Sequence, residues 1–148
     1  MTTKDRPRVG IGIIVENSEG KILIGKRKGS HAPFYSIPGG NLEIGETFEK
    51  AATREIKEET NLIIKNPQVI AVTNNLETFN KELLHYISII LHTKTFKGQL
   101  KIMEPAKCDE WIWCNPKELP QPHFDASRLG IECYLKNKVY VGITDSSI

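Results

Sequence analysis

Paired cysteines, long apolar runs and a surplus of one charge are all missing from this chain, and each absence narrows what it can do. Cys108, Cys114 and Cys133 are odd in number and form no CxxC pair. That argues against a disulfide framework and for a reducing compartment, here the cytosol. The four histidines stand apart from one another and from the cysteines, without zinc-ligand spacing. The balance of 20 Lys and Arg against 18 Asp and Glu gives +2, too little to hold a nucleic-acid polymer or a membrane surface by bulk charge. Any work on phosphates must come from a local site. No apolar stretch reaches membrane-spanning length. Lys4, Arg6 and Arg8 before Val9–Val15 imitate a signal peptide, but that run is short, holds Gly10 and Gly12, and ends at Glu16 without a small-residue cleavage site. A first strand is the better reading.

What remains is an ordinary globular composition, 39% hydrophobic and 26% charged over 148 residues, enough for one core. With no repeat or linker-like stretch, residues 1–148 are expected to form one domain. Val9–Glu16 predicts a strand, closed by the turn Asn17-Ser18-Glu19-Gly20, with Ile22–Lys26 as its hairpin partner. Short strands are expected at Phe34–Ile37, Val69–Thr73 and Glu110–Cys114, and a long one at Leu83–Thr95. Trp111 and Trp113 are assigned to packing, one facing in and one out. Two main helices are expected. The first runs Thr47–Asn61, with Thr47 as N-cap and Phe48, Ala52 and Ile56 as an apolar stripe; the last runs about Ala126–Lys136. The pattern is α/β, a mixed sheet with helices on its faces.

The second half of the first helix breaks local rules. Glu55, Glu58 and Glu59 are spaced i+3 and i+4, so their carboxylates share one face within reach of a common point. They repel one another, and they sit where the helix dipole disfavours acids. An isolated E-x-x-E-E is ordinarily a solvated face, but sites of function are where such conflicts are retained. A divalent cation turns the repulsion into binding, and an all-oxygen donor set suits Mg²⁺, with Mn²⁺ as a substitute. Arg54 stands four residues before Glu58, placed to pair with it or to orient a neighbouring carboxylate.

The segment Gly40–Leu62, GNLEIGETFEKAATREIKEETNL, resembles the Nudix box, G-x5-E-x7-R-E-U-x-E-E-x-G-U, with U bulky and apolar. Gly40, Glu46, Arg54, Glu55, Ile56, Glu58, Glu59 and Leu62 fall on its positions. Asn61 replaces the last glycine, where a helix end needs a left-handed residue and asparagine is next best. The resemblance implies an α/β/α sandwich. It also implies a metal site made by Glu55, Glu58, Glu59 and the Gly39 carbonyl, with Glu46 in a supporting role. In related enzymes a downstream loop acid takes part, and here Glu104, Asp109 and Glu110 are candidates, Glu104 preferred. The general base is Glu58 or Glu59, with Arg54 beside them in the catalytic set.

GKRKGS at Gly25–Ser30, PGGNLEIGET at Pro38–Thr47 and the EP…EWIW stretch at Glu104–Trp113 resemble the MutT-type branch, which cleaves nucleoside triphosphates, including oxidised or analogue deoxynucleotides. The alternative is another nucleoside diphosphate derivative, such as ADP-ribose or a nucleotide sugar. The ADP-ribose branch typically carries a proline past the box, and Val69–Lys81 contains none. A nucleotide-sensing module without turnover would show degenerate box carboxylates, and all are present. Among relatives a homodimer is common. Arg27, in Lys26-Arg27-Lys28, is expected at the phosphates, with Gly40 beside them. Ser88 on the long strand, and Phe124, Asp125 and Arg128 near the last helix, are the positional candidates for the base, with Phe124 placed to stack or to pack in the core.

Overall fold

A computed structural model describes residues 6–142; Lys4 and the outermost ends of the 1–148 span lie outside them. Strand β1 (Arg8–Val15) is buried at every residue from Gly10 to Val15, the mark of a central strand covered on both faces. It pairs in parallel with β7 (Tyr86–Thr93) and antiparallel with β4 (Gly39–Asn41), and β7 pairs antiparallel with β6 (Gln68–Asn74). The resulting order β4-β1-β7-β6 is mixed. A second sheet, β3-β2-β9, joins Tyr35–Ser36, Ile22–Arg27 and Cys108–Cys114, and a ribbon pairs β5 (Ile63–Lys65) with β8 (Thr95–Lys97).

The expected β1–β2 hairpin is therefore corrected. The turn is real: Asn17 Oδ1 accepts from the N–H groups of Glu19 and Lys21, and Gly20 takes φ +77°. Yet β2 leaves β1 after a single bridge at Glu16–Ile22 and enters the other sheet. Ile22–Gly25 are all buried, so β2 is itself a central strand that needs its own two neighbours.

Period-two alternation then sorts side chains into two cores. Ile11, Ile13, Val15 and Leu23 pack with Ala51, Ala52 and Ile56 of α1 (Phe48–Thr60). Ile14, Ile22 and Ile24 pack with Ile131 and Cys133 of α3 (Asp125–Lys136). Helix, sheets, helix: the α/β/α sandwich is present. Trp111 and Trp113, two residues apart, necessarily share a face, and both lie against the α1 core, which overturns the one-in, one-out expectation.

Helix α1 is capped as its sequence indicates. Thr47 accepts from the Lys50 N–H, and Asn61 closes the helix at φ +68° with its N–H on Lys57 O. The buried stripe is Ala51, Ala52, Glu55 and Ile56, whereas Phe48 stands exposed at its edge. A third helix, α2 (Leu76–Glu82), was not expected. It ends at Leu83 with φ +58°, a non-glycine in the left-handed region, so no sequence signal marks its stop. The long strand consequently begins at Tyr86 and ends at Thr93, not Leu83–Thr95. Among the described residues no helix is long and apolar enough to cross a membrane.

Candidate active site

Helix α1 meets strand β4 through the side chains of Glu55 and Glu59, with no β4 side chain in the way. A Cβ at Gly39 would lie 2.0 Å from Ile11 O, and one at Gly40 would lie 2.4 Å from the Glu55 carboxylate. Gly39 thus permits the close approach of β4 to β1, and Gly40 leaves the space that the Glu55 carboxylate fills. Across that contact the Gly39 N–H donates to Glu59 Oε2 at 3.0 Å.

Arg54 organises the other carboxylates. Its Nε and Nη2 donate to both oxygens of Glu46 (2.7 and 2.8 Å), Nη1 donates to Glu55 Oε1 (2.7 Å), and Nη2 also reaches Asn41 O (3.1 Å). Its contact with Glu58 is longer, 3.4 Å, and that carboxylate is half-exposed. Arg54 therefore orients Glu46 and Glu55 foremost, the second of the two roles its spacing allowed. The guanidinium and the Glu43 N–H hold Glu46 down at about 2.

Glu59 is displaced the other way. Burial, the Glu55 charge, a hydrogen bond shared with Glu55 and the charge of Glu104 push it far above the carboxylate range, against the opposing Gly39 N–H. Glu104 reaches this cluster because its loop is pinned to the end of α1: the Lys101 N–H donates to Thr60 O and the Met103 N–H to Glu59 O. Glu55, Glu58, Glu59, Glu104 and Arg27 line one cavity of about 520 Å³. Of the three loop acids, Glu104 lines this cavity, and Asp109 and Glu110 are not among its lining residues.

A second cavity, about 270 Å³, opens alongside, walled by Ser88, Asn75, Tyr86, His31 and Phe124. The two share Arg27 and the segment Ser36–Asn41, so Gly39 and Gly40 face both. Arg128 lines neither; it is exposed and donates to Glu77 at 3.2 Å, which removes it from the expected base contacts. Asp125 is buried and accepts from the Thr78 N–H and hydroxyl, fastening α2 to α3. Lys107, Cys108, Trp111, His31 and Asn75 had no sequence signal as wall residues, because long-range packing alone places them.

The donor set fits a hard divalent cation. Its acids offer only oxygen, and Glu59 is raised first by burial and then by the neighbouring charges of Glu55 and Glu104. Among the described residues no trio of acidic, imidazole or thiol groups is drawn tightly enough to enclose an ion, so the common point expected for Glu55, Glu58 and Glu59 is a shared cavity, not a closed cage.

A NUDIX domain model matches residues 6–131. The chain belongs to the NUDIX family. This NUDIX hydrolase is 37% identical over 135 residues to an ADP-ribose pyrophosphatase of Methanocaldococcus jannaschii, covering 89% of this chain and 75% of the relative. It is 30% identical over 121 residues to an RNA pyrophosphohydrolase of Acinetobacter baylyi, covering 72% of each. A MutT NUDIX hydrolase from Burkholderia pseudomallei superposes with TM-score 0.78 at 29% identity, covering 86% of this chain and 97% of that one. These relatives make the chain a hydrolase of phosphoanhydride bonds in nucleotide substrates, a family that generally uses divalent metal ions.

Proposed function

We propose that this NUDIX hydrolase cleaves a nucleoside triphosphate, oxidised or otherwise modified deoxynucleotides included, to the monophosphate and pyrophosphate with Mg²⁺. The observation that carries this reading is the pairing of an acidic cavity with a carboxylate-free cavity of nucleoside size, joined across Ser36–Asn41 with Arg27 at the junction. One end suits charged phosphates, the other an uncharged base.

Glu55, Glu58, Glu59, Glu104 and the Gly39 carbonyl would hold Mg²⁺, for which Mn²⁺ is a substitute. The ion, when bound, supplies a Lewis acid and lowers the pKa of water. Arg54 holds Glu55 in place, and Arg27 grips the phosphates that span the junction. Water attacks one phosphorus, the bridging P–O bond breaks, and a carboxylate takes the water proton. Glu58 is the better base of the two candidates: it is exposed to water, whereas Glu59 is engaged with Gly39 and Glu55. In this reading residues 1–148 are one catalytic domain working in the cytosol.

A second reading, hydrolysis of ADP-ribose, is favoured by the relationship to the M. jannaschii protein. A panel of canonical and oxidised deoxynucleoside and ribonucleoside triphosphates, with ADP-ribose and nucleotide sugars, decides between them when run with Mg²⁺ and the products separated. Monophosphate and pyrophosphate from a triphosphate are the expected result. AMP and ribose 5-phosphate from ADP-ribose, formed at least about tenfold faster than any triphosphate is cleaved, would overturn it.

A further inference from the structure

Gly10, Ser88 and Thr73 lie side by side on β1, β7 and β6, in register across three strands, and Gly10 and Ser88 line the smaller cavity. Asn75 follows at the start of α2 and is fully buried. As the N-cap it would ordinarily accept from the helix's first N–H groups, yet its side chain makes no cap bond. It turns instead into the sheet. The Thr73 hydroxyl donates to Asn75 Oδ1 at 2.7 Å, and Asn75 Nδ2 donates to Ser88 Oγ at 2.9 Å.

This order has a consequence for the cavity. A hydroxyl that accepts from an amide keeps its own proton to give. The other Ser and Thr hydroxyls on the wall are already engaged. Ser36 donates to Ile37 O, Thr78 donates to Asp125, and Ser127 accepts from the Ile37 N–H while bonded to His123. Among the described residues the Ser88 proton has no acceptor, and no carboxylate lines this cavity to supply one. Gly10 keeps the approach open, since a Cβ there would sit 3.1 Å from Ser88 Oγ.

We infer that Ser88, positioned by the Thr73–Asn75 relay, is a specificity-determining donor that selects nucleotides whose base presents an oxo group at the cavity floor over those presenting an amino group. The inference rests on the reading of the smaller cavity as the base site. An oxo oxygen accepts the Ser88 proton and completes its bonding; an exocyclic amine in the same place can use only the second lone pair of Ser88 Oγ, which leaves the hydroxyl proton buried and unpaired. Asn75 is a positioning residue that fixes the direction of the relay.

The test uses inosine and adenosine nucleotides, which differ in the C6 substituent and in the hydrogen on N1; the Ser88→Ala comparison isolates the C6 contact. Hydrolysis of ITP and ATP is measured with Mg²⁺, and binding of IMP and AMP by calorimetry, which needs no turnover. Wild type is expected to favour inosine about tenfold or more in both assays, and Ser88→Ala to bring the IMP:AMP affinity ratio close to one. Asn75→Asp, which offers Ser88 an acceptor in place of the amide donor, should reduce the ratio as well, an outcome that loss of packing alone would not produce selectively. Equal binding of IMP and AMP by wild type, no binding of either, or an unchanged ratio in Ser88→Ala overturns the inference. Failure of the triphosphates as substrates while IMP still outcompetes AMP instead overturns the proposed reaction and supports the base selector.

Discussion

Glu59 and Glu46 stand on one helix system and are pushed in opposite directions, Glu46 down by Arg54 and Glu59 up by burial beside Glu55 and Glu104. A carboxyl raised in the folded state contributes stability below its ordinary value of 4.5 and loses it as pH rises toward the raised value. Glutamine at that position has nothing to titrate. With a chelator present, Glu59→Gln should therefore melt above wild type at pH 8, by at least about 1 kcal/mol, and the gap should close toward pH 5. With Mg²⁺, the same variant should lose at least about 10²-fold in kcat. Thermal melts and steady-state rates on one preparation check both halves. A variant that is less stable at every pH would show that Glu59 serves packing and not the acidic cluster. These acids were legible in the sequence because i+3 and i+4 spacing is local. Their differing environments were not, since they depend on β4 and on the loop carrying Glu104.

Helix α1 shows what an element's sequence can specify. Thr47 caps it, and Asn61 ends it at φ +68°, both as the residue types alone indicate. Asn61 also donates from Nδ2 to Gln99 O and accepts from Lys57 Nζ. Asn61→Gly relieves the left-handed backbone but forfeits these bonds, so its stability should stay within about 0.5 kcal/mol of wild type. Asn61→Val keeps neither advantage and should cost roughly 1 kcal/mol or more. Equal melting temperatures for the two variants would contradict the cap. Helix α2 is the opposite case: seven residues, no side-chain cap bond, and a stop at Leu83, so neither its start nor its end is written in residue type. Arg128 was misplaced for a related reason. Its position near the start of α3 was legible, but the buried face of α3 is the one carrying Asp125, Ser127, Ile131 and Cys133, which turns Arg128 outward to Glu77 of that unforeseen helix.

At the scale of the whole molecule, the two ends of α3 do different work. Phe124 at its start walls the smaller cavity, while Tyr134 near its end anchors the helix to the sheet. The Tyr134 hydroxyl donates to Glu16, which follows β1, and His92 of β7 meets the same carboxylate at 2.7 Å with its ring stacked on Tyr134 at 5.0 Å. Burial alone would raise Glu16, but the hydrogen bonds from Tyr134 and His92 and the charge of Lys94 hold it below 4.5. A carboxylate depressed on folding contributes stability above its ordinary value and loses it as pH falls through the lowered one. Tyr134→Phe removes the phenolic donor, so it should cost about 1–2 kcal/mol at pH 7, and the difference from wild type should shrink as Glu16 is protonated toward pH 3. Melts of both proteins from pH 3 to pH 7 read this directly. A penalty that stays constant over that range would mean that the ring's packing, and not its bond to an ionised Glu16, fastens the outer helix to the sheet.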